Sequence, residues 1–247
     1  MKAMIYVANL TVSYGRGNRR AAAVKGISFD VRQGECVGFI GVNGAGKSTT
    51  LKTLMGFVRA DGGIAEIDGY PAGSVASRRS VGYLPEVALY YPFMKAAELL
   101  SMYGKLDGLS RADLAARIPE TLAKVGLAGR GDDLVRTFSK GMQQRLGIAQ
   151  AILADPDLLV LDEVSSGLDP LGRYDLRILL EDLKNRGRTI FFSSHELSEV
   201  ESLCDRVLLV HDGRILREIS RDTLAAAGKT RSLESFFISE VRGEPPR

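Results

Sequence analysis

The run GVNGAGKST, Gly41 to Thr49, stands between the apolar run CVGFI and a segment of helical character that extends to about Met55. Gly41, Gly46, Lys47 and Ser48 fall on the fixed positions of the pattern G-x-x-x-x-G-K-[ST]. Glycines let the backbone turn tightly, so that successive N–H groups point at phosphate oxygens. The lysine adds a mobile charge for β- and γ-phosphates, and the serine hydroxyl adds a ligand for Mg2+. A glycine-rich turn that binds nothing is the alternative. Gly, Lys and Ser at these spacings, between a strand and a helix, favour a nucleoside triphosphate site. Its candidate contacts are Gly41, Val42, Asn43, Gly44, Ala45, Gly46, Lys47, Ser48 and Thr49.

Upstream, IYVANLTVSY and ISFDVRQGECVGFIG mix alternating and continuous apolar positions with β-branched and aromatic residues, as strands do. GGIAEIDGY adds a strand and a turn. From about Ala96 to Leu153 the apolar spacing is helical, in KAAELLSMYGKL, SRADLAARIPETLAKVGL and GMQQRLGIAQAILA. DLLVLDE is then a continuous apolar run ended by carboxylates, typical of a buried parallel strand. Helix YDLRILLEDLKNRG, strand TIFFSSH, helix ELSEVESLC and hairpin RVLLVHDGRIL follow. Strands alternating with helices imply an α/β fold with a mostly parallel sheet. Here it carries an antiparallel β part at the N-terminus and an inserted helical subdomain. The expected division is a main domain over 1–222, with its core at 1–86 and 154–222 and the helical subdomain at 87–153. A short helical extension and frayed tail occupy 223–247, where Leu233, Phe236 and Phe237 recur at helical spacing.

The whole chain narrows the function classes. Its 247 residues are 45% hydrophobic and 26% charged, enough for a sizeable core. A net charge of +3 does not suggest a nucleic-acid coat. Cys36 and Cys204 both lie in apolar runs and read as buried thiols of a reducing compartment. MKAMIYVANL is not expected to act as a signal peptide, and no apolar stretch approaches the 18 residues of a membrane span.

Asp162 and Glu163 end the strand in LLVLDE, the end at which open α/β sheets bind ligands. Asp162 is placed to hold Mg2+, and Glu163 to accept a proton from an attacking water. An Asp-Glu turn or helix cap is the bland alternative, which the upstream glycine loop and the downstream SSGLD disfavour. In FSKGMQQRL, Ser139 and Gly141 precede a helix, where they either cap it or hold an anion.

These motifs, in this order over roughly residues 5–220, resemble the nucleotide-binding subunits of ATP-binding cassette (ABC) transporters. The resemblance implies a P-loop NTPase (RecA-like) core, ATP and Mg2+ as ligands, and ATP hydrolysis. It makes Tyr14 the aromatic that stacks on adenine and Gly41 to Thr49 the Walker A loop. Glu86, in GYLPE, stands at the Q-loop position, as a ligand of ATP and Mg2+ beside Ser48 and Asp162. Phe138 to Met142 match the signature, so that Ser139, Lys140, Gly141 and Met142 act on the ATP of a second subunit. Leu158 to Glu163 match Walker B, and Ser166, Gly167, Leu168 and Asp169 the D-loop. His195 is the switch histidine, catalytic together with Glu163.

The implied partners are a second ABC ATPase subunit, identical or different, and a transmembrane permease; the implied place is the cytoplasmic face of the membrane. No nucleic-acid partner is expected. Lys140 stands where the family has glycine, Met142 where it has glutamine, Glu86 where it has glutamine, and Val164 where proline is common. These variants look like those of the export-type branch. A soluble ABC ATPase acting on ribosomes or DNA is the alternative, but such members carry two cassettes or a long coiled-coil insertion. An unrelated P-loop kinase or GTPase lacks a signature segment. The aromatic run Val87 to Leu100 either packs under the helical insert or receives a helix of the permease on Tyr90, Tyr91, Phe93 and Met94.

Overall fold

Alternating apolar residues build the first sheet. β1 (Ala3–Tyr14) buries Ile5, Val7, Leu10 and Val12. It pairs antiparallel with β2 (Ala21–Arg32) on one side and β4 (Gly62–Ile67) on the other. A short β5 (Tyr70–Pro71) completes the order β2-β1-β4-β5. Continuous apolar runs build the second sheet. β3 (Cys36–Ile40) and β8 (Thr189–Ser194) are buried at every residue and run parallel to each other. On its other edge β3 pairs in parallel with β9 (Arg206–His211), and β10 (Arg214–Ser220) returns antiparallel to β9. Strands covered on both faces read as unbroken apolar runs, which is the pattern of CVGFI and TIFF. Phe29, Phe39 and Phe191 meet with ring centroids 5.4 to 5.7 Å apart and join β2 to the parallel strands.

The structure, a computed structural model, describes residues 2–15, 17, 20–195, 200, 203–220 and 223. The expected C-terminal extension with Leu233, Phe236 and Phe237, and most of the helix expected over ELSEVESLC, lie outside the described residues. The chain divides into two compact units: Met1–Arg78 with Thr189–Arg247, which holds both sheets above and the helices α1 (Lys47–Leu54) and α2 (Val75–Arg78), and Arg79–Arg188.

The second unit pairs β6 (Val81–Leu84) in parallel with the fully buried β7 (Leu158–Asp162). Its helices are α3 (Ala96–Leu106), α4 (Arg111–Lys124), α5 (Lys140–Ile152) and α6 (Pro170–Asn185). α4 starts at a capping box in which Ser110 and Asp113 satisfy each other's backbone N–H. Helix α5 lies directly on β6: a Cβ at Gly82 would stand 2.0 Å from the Ala151 carbonyl oxygen. Both are backbone atoms of packed elements, so neither can swing aside as a flexible side chain would. Gly82→Ala is therefore expected to destabilise the protein by about 1–3 kcal/mol, the usual range for overpacking, read as a lower urea midpoint. A wild-type midpoint would mean that α5 does not sit this close.

Candidate functional site

In the first unit, buried β3 delivers the chain into the glycine loop. A Cβ at Gly41 would lie 2.2 Å from the Val210 carbonyl oxygen. One at Gly46, whose φ is +103°, would lie 2.6 Å from the Ala23 carbonyl oxygen. Only glycine fits either position. The Ala45 N–H donates to Val42 O, and the Gly213 N–H donates to Ala45 O at 3.0 Å, which ties the loop to the β9–β10 turn. α1 (Lys47–Leu54) begins at once, so its first N–H groups and positive dipole end face the loop.

Lys47 is only 5% exposed. Its Nζ donates to the carbonyl oxygens of Gly41 at 2.6 Å and Val42 at 3.4 Å. Ser48 follows, half-buried, and Thr49 shares a 3.3 Å hydrogen bond with the hydroxyl of half-exposed Tyr14. His195 is exposed just past the end of β8.

In the second unit, Asp162 is fully buried at the end of β7, and Glu163 follows at φ +49°, a left-handed conformation. Such a conformation costs a non-glycine residue about 1–3 kcal/mol and persists only where its surroundings enforce it. Two contacts enforce it: the Ser166 N–H donates to Glu163 O at 2.9 Å, and buried Gln144 on α5 donates Nε2–H to Val164 O at 2.7 Å. Burial, followed by the nearby Asp162 charge, pushes the Tyr83 phenol up to about 12. Its hydroxyl thus stays protonated beside the Asp162 carboxylate.

Ser139 is the N-cap of α5 and accepts from the Met142 N–H at 3.2 Å. Both Ser139 and Lys140 are exposed. A Cβ at Gly141 would come 3.2 Å from the Gly167 carbonyl oxygen, and the Lys140 stem lies over Gly167. The start of α5 and the turn at Gly167 are thereby brought together. Asp169 caps α6, accepting from the Gly172 N–H at 2.8 Å. Glu86 is exposed and lines a cleft of about 130 Å³ with Lys140, Gln143, Gln144 and Ser166. Tyr14, Gly41 to Thr49 and His195 belong to the first unit; Glu86, Ser139 to Met142, Asp162, Glu163 and Ser166 to Asp169 belong to the second.

Within Val87 to Met94, Tyr90 packs against Gly147 of α5, and burial raises its phenol pKa. Its neighbours Val87, Leu89, Tyr91 and Phe93 face outward, at 67, 87, 51 and 72% exposure, and Met94 is half-buried. Three supporting residues were not singled out by sequence reasoning. Gln144 clamps the loop after β7, Tyr83 stands beside Asp162, and Arg145 reaches Val125 O and Asp175. Periodicity marks Gln144 only as a polar residue on an otherwise apolar helix face.

Residues 24–166 match the family model described as ABC transporter. An uncharacterized ABC transporter ATP-binding protein of Synechocystis sp. is 44% identical over 81% of this chain and 57% of its own length. The chain thus spans less than two thirds of that relative. The bacitracin transport ATP-binding protein BcrA of Bacillus licheniformis is 40% identical over 97% of this chain and 76% of that protein. A solved structure of an ATP binding subunit of an ABC transporter superposes with a TM-score of 0.86 at 31% identity, covering 96% of this chain and 99% of that one.

Two outcomes are expected from the site's geometry. Lys47→Ala removes a charge-assisted contact worth about 1.5–3 kcal/mol, so ATP affinity measured by calorimetry should fall about ten- to hundredfold. Unchanged affinity would dismiss the cradle. The second concerns alkaline pH. The unfolded chain releases the Tyr83 proton near 10.0, the folded chain only near 12. The folded state therefore holds more protons between these values, and stability falls as pH rises through them. Tyr83→Phe should flatten the decline in melting temperature across that window; an unaltered slope would place the phenol in water.

Proposed function

The chain belongs to the ABC transporter family, and from that membership we propose that it is the ATP-binding and ATP-hydrolysing subunit of a transporter, driving export through a separate permease. The observation that carries this reading is the glycine loop at the end of β3, whose walls exclude any Cβ at Gly41 and Gly46 and whose lysine is already inside it. Among the described residues no helix is long and apolar enough to cross a membrane; in this reading the permease carries the substrate across the bilayer. The export direction rests on the resemblance of Lys140 and Glu86 to the export-type branch. The relative named for bacitracin transport supports a transport role. Association at the cytoplasmic face of the membrane, through the permease, goes with this reading.

ATP is held with its adenine on Tyr14 and its phosphates on the N–H groups of Gly41 to Thr49. Lys47 exchanges two backbone carbonyls for phosphate oxygens. The donors assigned to Mg2+ fit it: the buried Asp162 carboxylate, the Ser48 hydroxyl and the Glu86 carboxylate are hard oxygen ligands. When bound, Mg2+ neutralises charge on the phosphate oxygens. Glu163 accepts a proton from the attacking water, and His195 orients that water toward the γ-phosphate. Phosphoryl transfer leaves little covalent work to the protein, so positioning dominates.

The exposed Ser139 hydroxyl and the Gly141 N–H, at the positive end of α5, receive the γ-phosphate of a second ATPase subunit. Two such sites close a head-to-tail dimer, and the D-loop residues Ser166 to Asp169 join the same face. The outward row Val87, Leu89, Tyr91 and Phe93 suits an apolar helix of the permease.

Glu163→Gln keeps the shape and removes the base. ATP turnover should drop by about 10²- to 10⁴-fold, the range of general-base catalysis, while ATP-dependent dimerisation persists in size-exclusion chromatography. Normal turnover in that variant would remove Glu163 from the mechanism.

A further inference from the structure

β9 and β10 are joined through Asp212 and Gly213, with His211 opposite Arg214 in the ladder. Both central residues have positive φ, +46° at Asp212 and +72° at Gly213. This is the two-residue hairpin turn that Asp-Gly favours. It leaves the N–H and C=O of Gly213 outside the ladder, and buried Gly213 gives both to its neighbours. Its N–H donates to Ala45 O at 3.0 Å, and its C=O accepts the Lys25 N–H at 2.8 Å. A Cβ at Gly213 would stand 2.7 Å from the Ala23 carbonyl oxygen, so only glycine fits here. The turn is thus held between the glycine loop and β2. Lys25 makes a second contact with it: the half-buried ammonium donates to the exposed Asp212 carboxylate at 2.6 Å. Among the described residues this is the one ion pair of the turn His211 to Arg214.

The direction of the Ala45 C=O matters, because the same peptide plane carries the Gly46 N–H. The described peptide bonds are trans, so the two groups point opposite ways. Tying Ala45 O to the turn therefore aims the Gly46 N–H away from the turn. We propose that Lys25 and Asp212 are positioning residues for ATP binding, whose ion pair holds the turn against the glycine loop and presets the Gly46 N–H for a phosphate oxygen. The inference rests on the proposed function. Neither side chain touches nucleotide; both act through Gly213. When the pair is broken, the tip of the hairpin loses its side-chain tie and the Gly213–Ala45 hydrogen bond opens more often. The Ala45–Gly46 peptide then has to be ordered as phosphate binds, and that ordering lowers affinity.

The test is a double-mutant cycle on the full chain with Lys25→Met and Asp212→Asn, and Lys25→Arg as the conservative variant. Each single change should lower the association constant for ATP, measured by calorimetry, by about two- to fivefold, the range of exposed ion pairs. The double change should lower it no further than one of them, and Lys25→Arg should keep most of the affinity. Amide exchange at Gly213 should quicken by a similar factor in the nucleotide-free single variants. KM for ATP should rise while kcat at saturating ATP holds. Equal affinity in all variants, or additive losses, overturns the positioning role. Weaker binding with unchanged exchange at Gly213 overturns the route through the turn. A wild-type chain that binds no ATP overturns the proposed function, and the positioning role with it.

Discussion

Burial along the whole of a parallel strand dictates where this protein can keep its polar chemistry. Every residue of β3 and of β7 is buried. A charged group in the middle of either strand would need partners that an apolar sheet does not offer. The first positions at which the chain can turn, expose N–H groups or carry a carboxylate are the strand ends. There the glycine loop and the Asp162–Glu163 pair stand. The surrounding side chains serve these two ends: the Phe29–Phe39–Phe191 cluster fixes β3, and Gln144 fixes the loop after β7.

That constraint also explains what the sequence makes legible. CVGFI and LLVLD announce their burial by composition, and the loops after them carry their residue types within a few positions. The α/β class, the antiparallel N-terminal sheet and the helical segments were readable for the same reason, because periodicity is local. The contacts that support the site are not local. Gln144 and Val164 are 20 residues apart, and Tyr90 and Gln150 are 60 apart. Arg206, whose guanidinium bonds Glu35 and Glu218, reaches across 171 positions to the first of them. No spacing rule connects such pairs. The left-handed conformation of Glu163 was equally hidden, since a glutamate gives no signal for it. Lys140 showed only as an odd residue in a glycine's place, and its packing on Gly167 depends on where α5 lies within its unit.

Two lysines open two helices here, each at the end where positive charge is least welcome. α1 and α5 have no acidic residue in their first turns, so neither offsets its lysine locally. The two are resolved differently. Lys47 is buried and turned onto the carbonyl oxygens of its own loop, which hold the ammonium where phosphate oxygens can replace them. Lys140 is exposed at the edge of an open cleft that Glu86 also lines.

Burial decides what each lysine can do. The Lys47 ammonium is held inside the loop at the Gly41 and Val42 carbonyl oxygens, so it is already in place for an anion that enters the cradle. The Lys140 ammonium stands at the surface, where water and dissolved ions screen it, while its stem packs over Gly167. A buried charge favours an anion at one point, and a solvated one raises the anion affinity of the whole helix end. The difference thus lies in burial, since both lysines share the same helix geometry.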